Sequence, residues 1–327
     1  MPLKTAARIA LQHMGGLALF RYANRRKSAV LAFHSFSETT QPNVAAICEY
    51  LTRHFELLPL SAIVESVRNR TELPDNALAV TIDDGYKNYL EYGHPIFKRH
   101  KILTTLFAVS EFAAGRLWLW PDQLEFALEH TARASASVDL GNNGVTEFAL
   151  SSPQDKAAAA AHLTEMLKAV PNRQRIDFMA KVGRLCDVEI PKVPPAHRAG
   201  MTWEELRAIA ADGVEIGCHT ATHPILTRLE SAAELQAEIR GAKETMEENL
   251  GFSIRHFCYP NGKAADFDDT VVASVRAAGF DSAVTCLWGL NSATAEPSDK
   301  PWRIQRLPFD SGLEYSYAIE LLAGLHL

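Results

Sequence analysis

Two hydrophobic patterns alternate along the chain. Short apolar runs, as in residues 28–36 and 77–83, are typical of buried strands. Each run is followed by a stretch such as 42–55, where apolar residues recur every three or four positions and predict an amphipathic helix. A third strand is predicted at 104–109. The resulting order β-α-β-α-β indicates a parallel sheet with crossover helices.

Residues 112–200 interrupt this alternation. A helix is predicted after Trp118, a glycine-asparagine turn at 141–144 is typical of a hairpin, and two helices are predicted over 153–170 and 172–186. We interpret the segment as a mainly helical insertion that covers the functional site. Trp118 is a candidate for stacking on a sugar ring, although tryptophan is more often a core residue.

The alternation returns after residue 200. Thr202 and Glu205 form the pattern of a capping box, and a single long helix is predicted over 231–250. Further strands are predicted at 214–218, 255–259, 282–285 and 303–309. At least seven strands therefore alternate with helices, which predicts an α/β protein with a closed or nearly closed (β/α) barrel.

Composition narrows the function class. The chain of 327 residues is 47% hydrophobic with a net charge of −6, which argues against nucleic acid as a partner. Its five cysteines are scattered, odd in number and contain no C-x-x-C pair, so they do not form a disulfide framework and fit a reducing compartment.

Residues 1–27 form a basic segment without acidic residues. Its apolar run is too short to span a bilayer and lacks the features of a signal peptide. A basic amphipathic helix can lie on an anionic membrane, so peripheral membrane contact is one expectation for this segment. The alternative is a helix that packs on the barrel, 28–327, with a solvated basic face.

The first candidate for chemistry is the pair Asp83 and Asp84. The strand 77–83 ends on these carboxylates and on Gly85. In parallel α/β folds the carboxyl ends of the strands are where ligands bind. One carboxylate could then bind a metal while the other acts as a base, although Asp-Gly is also a common surface turn.

The second candidate is the pair His219 and His223, directly after the strand 214–218. Their spacing lets both imidazoles bind one divalent ion, with Asp84 as a third ligand and one position left for water, as in catalytic zinc sites. The alternative is two surface histidines in a loop. The carboxylates at a matching strand end favour the metal site.

These residues carry a resemblance to a known family. The segment 81–85, Thr-Ile-Asp-Asp-Gly, resembles the first motif of the NodB-homology polysaccharide deacetylases, carbohydrate esterase family 4. The segment 219–223, His-Thr-Ala-Thr-His, resembles the second, and 258–261, Cys-Tyr-Pro-Asn, lies where the third is expected. The resemblance covers about 28–110 and 200–310.

The resemblance implies a deformed (β/α)7 barrel and a metal-dependent hydrolase. It assigns Asp83 as general base and assigns Asp84, His219 and His223 as ligands of a divalent metal, Zn²⁺ in the first place, with Co²⁺ or Ni²⁺ as alternatives. A backbone N–H at Asn261 would help to hold the oxyanion that forms on the acyl group.

Two departures from the family pattern lead to further assignments. Cys258 replaces the arginine that orients the base, and the late histidine that serves as general acid is absent. The segment 32–35, Ala-Phe-His-Ser, resembles the first strand of the poly-N-acetylglucosamine deacetylase branch, where the acid lies, so His34 is assigned as general acid. Arg306 or Asp310 could replace the lost arginine. Further candidates for substrate contact are Tyr259, Pro260, Trp118, Arg306 and Asp310.

The expected function is removal of N-acetyl groups from an amino sugar in the biosynthesis of cell-surface polysaccharide or lipopolysaccharide. The substrate would be an N-acylated carbohydrate, either free or lipid-linked, and the enzyme would be cytoplasmic, near the inner face of the membrane. Alternatives are a deformylase, an O-acyl esterase, and a non-catalytic glycan-binding barrel.

Overall fold

Ten strands lie in the residues that this computed structural model describes, 16–141, 144–293 and 300–322. They are β1 (Ala29–Phe33), β2 (Glu56–Leu57), β3 (Ala77–Ile82), β4 (Thr104–Ala108), β5 (Ser135–Asp139), β6 (Val145–Ala149), β7 (Glu215–Cys218), β8 (His256–Cys258), β9 (Ser282–Trp288) and β10 (Ile304–Pro308).

The same residues form thirteen α-helices. They are α1 (Gly16–Asn24), α2 (Gln41–His54), α3 (Leu60–Asn69), α4 (His94–Arg99), α5 (Ser110–Ala113), α6 (Trp120–His130), α7 (Pro153–Ala169), α8 (Asn172–Cys186), α9 (Trp203–Ala211), α10 (Ala232–Gln236), α11 (Ala242–Leu250), α12 (Asp269–Ala277) and α13 (Tyr315–Leu322). Single π-helical turns, Tyr89–Gly93 and Ala237–Gly241, precede α4 and α11.

Seven parallel strands close into a barrel in the order β1-β10-β9-β8-β7-β4-β3, and β3 pairs with β1 again. This confirms the predicted (β/α)7 barrel. The short strand β2 pairs with β3 outside the closed ring. Because β4 pairs directly with β7, the insertion between them leaves the barrel continuous.

The barrel interior is apolar at one end and polar at the other. Val30, Ala79 and Phe107 pack with Leu60 and Ile63 of α3, which closes the end where the strands begin. Side chains along a strand alternate between faces, so Ala79, Thr81 and Asp83, which are two positions apart, all face the interior. The interior therefore ends in a carboxylate where β3 ends.

The insertion has a hydrophobic core of its own, formed by α6, α7, α8 and the antiparallel hairpin β5–β6. The predicted hairpin and both predicted helices are present, while residues 142–143 of its turn lie outside the described part. The Tyr86 hydroxyl donates to Asp122 Oδ2 at 2.8 Å and connects the insertion to the barrel.

One helix differs from the sequence-based expectation. The helix predicted over 231–250 is broken by the π-helical turn Ala237–Gly241.

Of the basic segment 1–27, only residues 16–27 are described, and its membrane contact stays a prediction. No helix among the described residues is long and apolar enough to cross a bilayer.

Candidate metal-dependent active site

Asp83 and Asp84 occupy the turn that follows β3, and both are buried. Asp84 adopts the left-handed conformation, with φ of 72°, which a residue other than glycine rarely adopts. Gly85 also has a positive φ, and a Cβ atom on it would lie 3.2 Å from the Cβ of Ala108. This strained turn directs two successive carboxylates to one end of the barrel.

Asp84 lies between the two histidines. Its Oδ1 atom is 3.4 Å from His219 Nε2 and 3.4 Å from His223 Nε2, and these three ligand atoms all lie within 4.8 Å of one another. His223 also has a positive φ, of 59°. His219 Nδ1 makes a hydrogen bond of 2.8 Å with the carbonyl of Cys258, which leaves Nε2 facing Asp84.

The donor set fits a divalent ion such as zinc. Ligand atoms around a tetrahedral zinc with bonds of about 2.0–2.1 Å lie about 3.3–3.4 Å apart, which matches the separations from Asp84. Asp84 Oδ1 is buried without a hydrogen-bond partner, as expected of a metal ligand. Burial and the neighbouring His219 lower the pKa of His223 to about 3, which favours the neutral imidazole that metals bind.

A second group of possible ligands, Asp83, His219 and Cys258, lies beside the first. It is a poorer candidate because both carboxylate oxygens of Asp83 accept hydrogen bonds from Arg306. Burial and the nearby negative charge of Asp83 hold the pKa of the Cys258 thiol well above its usual range, so it does not supply a thiolate. The Asp84 group is therefore the candidate metal centre.

Arg306 orients Asp83. Its Nη1 and Nη2 atoms donate to Oδ1 and Oδ2 of Asp83, each at 2.7 Å, in a bidentate pair that is almost completely buried. Burial alone would raise the pKa of Asp83, but Arg306 outweighs it and holds the pKa below its usual range. Asp83 is therefore ionised, as a base must be. Although Cys258 occupies the position of the family's arginine, Arg306 supplies an arginine contact to the base.

The rest of the guanidinium is also satisfied. Arg306 Nε donates to the carbonyl of Thr285 at 2.8 Å, Nη1 to Thr81 Oγ1 at 3.0 Å, and Nη2 approaches the sulfurs of Cys258 and Cys286 at 3.2 and 3.4 Å. This arginine is inside the barrel, so its predicted substrate contact is revised to a contact with the base. Its alternative role, replacing the lost arginine, is the one this geometry supports.

Replacing Arg306 with methionine should destabilise the protein by about 3–5 kcal/mol, because the buried Asp83 carboxylate loses its counter-ion. Arg306→Lys should retain the charge but lose the bidentate geometry, so its stability should lie between that of the wild type and that of Arg306→Met. Urea unfolding measures both changes. Arg53→Met removes a highly exposed pair with Glu49 and should change stability by less than about 1 kcal/mol. Equal effects at positions 306 and 53 would contradict the assignment.

His34 and Asn261 lie at two other strand ends. His34 follows β1, is half-exposed, and places Nε2 3.7 Å from Asp83 Oδ2, on the accessible side of the base. Asn261 follows β8 in a turn with φ of 58°, and its side-chain Nδ2 is buried without an acceptor. Their assigned roles, general acid and oxyanion donor, stay predictions.

The other candidates for substrate contact lie in different surroundings. Tyr259 is fully buried, stacks on Phe267 at 4.4 Å and donates to the carbonyl of Trp302, so we revise its role to packing. Trp118 is 5% exposed and packs edge-on against Phe126, so its role is also revised to packing. Pro260 and Asp310 stay predictions.

Asp122, which no sequence pattern marks as functional, joins α6 of the insertion to the residue that follows Gly85. Its Oδ2 accepts the Tyr86 hydroxyl, and Arg198 Nη1 donates to its carbonyl at 2.7 Å. Burial raises the pKa of Asp122 to about 7, against the opposing effect of Tyr86. An acidic residue in the first turn of a helix is commonly explained by the helix dipole, so the sequence gives no separate signal of the contact with Tyr86.

Asp122 should make stability depend on pH. An acid whose pKa is higher in the folded state stabilises at low pH, and this contribution is lost as pH rises from about 4 to about 7. Each pKa unit corresponds to about 1.4 kcal/mol, and the group is partly exposed. The free energy of unfolding of Asp122→Asn, relative to that of the wild type, should therefore rise by about 2 kcal/mol between pH 5 and pH 8. Urea unfolding at both pH values measures this, and the same gain in exposed Asp177→Asn would contradict it.

Comparison with known proteins agrees with the fold. Residues 193–283 match the family model described as polysaccharide deacetylase, a region that contains His219, His223 and Asn261. No curated protein matches the chain.

Solved structures of deacetylases share the fold. The Streptococcus pyogenes deacetylase PplD, solved with acetate, is 12% identical with a TM-score of 0.56, over 90% of this chain and 98% of that one. IcaB from Ammonifex degensii is 16% identical with a TM-score of 0.54, over 92% and 98%. The deacetylase domain of BpsB from Bordetella bronchiseptica is 15% identical with a TM-score of 0.54, over 87% and 96%.

The barrel is thus the fold of solved deacetylases, and residues 193–283 match the polysaccharide deacetylase family model. The match to the family model confirms the predicted resemblance to NodB-homology deacetylases, and with it the predicted enzyme class, a sugar deacetylase.

Proposed function

We propose that this protein is a metal-dependent hydrolase that removes N-acetyl groups from an amino sugar. The observation that carries the proposal is the position of Asp84 Oδ1, 3.4 Å from both imidazole nitrogens and without any other partner. Asp83, the adjacent residue, is an ionised carboxylate held by Arg306. A ligand set and a separate base are what metal-assisted amide hydrolysis requires.

The residues divide the reaction between them. A divalent cation held by Asp84, His219 and His223 would act as a Lewis acid on water and on the acyl oxygen. Asp83 accepts a proton from the water that attacks the acyl carbon, and the C–N bond then breaks. His34, on the accessible side of Asp83, donates a proton to the leaving nitrogen, so the products are acetate and a free amine.

The substrate and the location are part of the same proposal. The substrate would be an N-acetylated sugar of cell-surface polysaccharide or lipopolysaccharide assembly, including a lipid-linked precursor. The basic segment 1–27 supports a place in the cytoplasm at the inner face of the membrane.

The test is product analysis with the full chain and added Zn²⁺ on N-acetyl, N-formyl and O-acetyl sugars. We expect acetate and free amine in equal amounts from the N-acetyl substrates. Formate release with no acetate would indicate a deformylase, and acid release without amine would indicate an esterase. Glycan binding with neither metal nor hydrolysis would contradict the proposal in favour of a binding barrel.

A further inference from the structure

Glu238 holds the turn that carries both histidines of the candidate metal centre. Its Oε2 atom accepts hydrogen bonds from the backbone N–H groups of Ala221 and Thr222, at 3.0 and 2.9 Å. Its Oε1 atom accepts the Thr222 hydroxyl at 2.5 Å. Three donors between His219 and His223 therefore converge on one carboxylate that is only 9% exposed.

This turn requires external support because its backbone is strained. Thr220 and His223 both adopt the left-handed conformation, with φ of 70° and 59°. The turn has one internal bond, from the backbone N–H of His223 to Thr220 Oγ1 at 3.0 Å. Its Thr220 and Ala221 carbonyls accept the backbone N–H groups of Ser110 and Glu111, and Glu238 accepts the N–H groups on the other side of the turn. Residues in such conformations persist only where the surrounding structure fixes them.

A π-helical turn, Ala237–Gly241, contains Glu238 and interrupts the helix that begins at Ala232. Such turns insert one extra residue and rotate the side chains before them relative to those after them, and they are frequent at functional sites. Glu238, in this irregular turn, is buried in contact with the turn from His219 to His223.

We propose that Glu238 is a positioning residue that sets the metal affinity of this site by fixing the turn from His219 to His223. The inference rests on the proposed function, since it needs the metal centre.

The test is zinc affinity, measured by competition with a chromogenic chelator. Glu238→Gln replaces one accepting oxygen with a donor, and we expect its Kd to rise about 10–100-fold, the usual effect of a residue that orients metal ligands. Activity should return towards the wild-type value at saturating zinc, because no reacting group is changed. Glu244→Gln, exposed on the following helix, is the matched control and should bind zinc like the wild type.

The outcomes separate this inference from the proposed function. A wild-type protein that binds no zinc would overturn both. A wild-type protein that binds zinc, with Glu238→Gln equal to Glu244→Gln, would overturn the inference alone. If Glu238→Gln does not fold, Thr222→Val decides, because it removes one hydrogen bond and should raise the Kd about fivefold. An unchanged Kd in Thr222→Val would then overturn the inference.

Discussion

Replacing Asp83 with asparagine should lower kcat for deacetylation by about 10²–10⁴-fold, the usual contribution of a general base. Asparagine keeps the shape of the side chain, but its amide cannot accept the proton of the attacking water. Steady-state kinetics at saturating zinc measures the loss. The exposed Asp177→Asn variant is the matched control and should keep wild-type kcat.

Zinc affinity distinguishes a lost base from a damaged site. Asp83 is not one of the three candidate metal ligands, Asp84, His219 and His223, so its replacement should change the zinc Kd only a few-fold. Stability should fall, since Arg306 loses its buried counter-ion, and kinetics should therefore be recorded below the onset of unfolding. An Asp83→Asn enzyme as active as the wild type would remove Asp83 from the mechanism.

Removal of the metal is the second large effect that we expect. Dialysis against a chelator should reduce activity by about 10²–10³-fold, because a Lewis acid contributes several kcal/mol to stabilisation of the transition state. Added zinc should restore it. Asp84→Asn should show the same loss without recovery at low zinc, whereas the exposed His162→Ala should behave like the wild type.

Thermal unfolding gives a second measure of the same site. A ligand present at 100 times its Kd stabilises the folded state by about 2.7 kcal/mol, so zinc should raise the Tm of the wild type. The increase should be absent in Asp84→Asn. Full activity in excess chelator, together with a Tm that zinc does not change, would contradict a metal-dependent enzyme.

The sequence predicted the barrel because its periodicity is local. The strands β1 and β3 are nearly continuous apolar runs, interrupted only by Thr81, since interior and helix layers bury both of their faces. The capping box at Thr202 and Glu205 is present as predicted for the same reason, because its residues are three positions apart. Asp84, His219 and His223 could be grouped because each follows a strand at the same edge of the sheet.

The contacts that the sequence left open or did not predict depend on distant residues. It offered Arg306 or Asp310 in place of the lost arginine without deciding between them, because Arg306 lies 223 positions from Asp83 and only the closed barrel brings β10 and the end of β3 together. One signal was available: a charged residue inside a strand, two positions after Ile304 and therefore on the interior face. No comparable signal marks the π-helical turn that holds Glu238, because its residues form a regular helical pattern.

Anomalous diffraction from crystals grown with zinc tests the central assignment most directly. We predict one zinc ion bound by Asp84 Oδ1, His219 Nε2 and His223 Nε2 at about 2.0–2.2 Å, with Asp83 outside this shell and still paired with Arg306. A barrel without zinc at these three atoms, or with zinc held only by Asp83, His219 and Cys258, would contradict it.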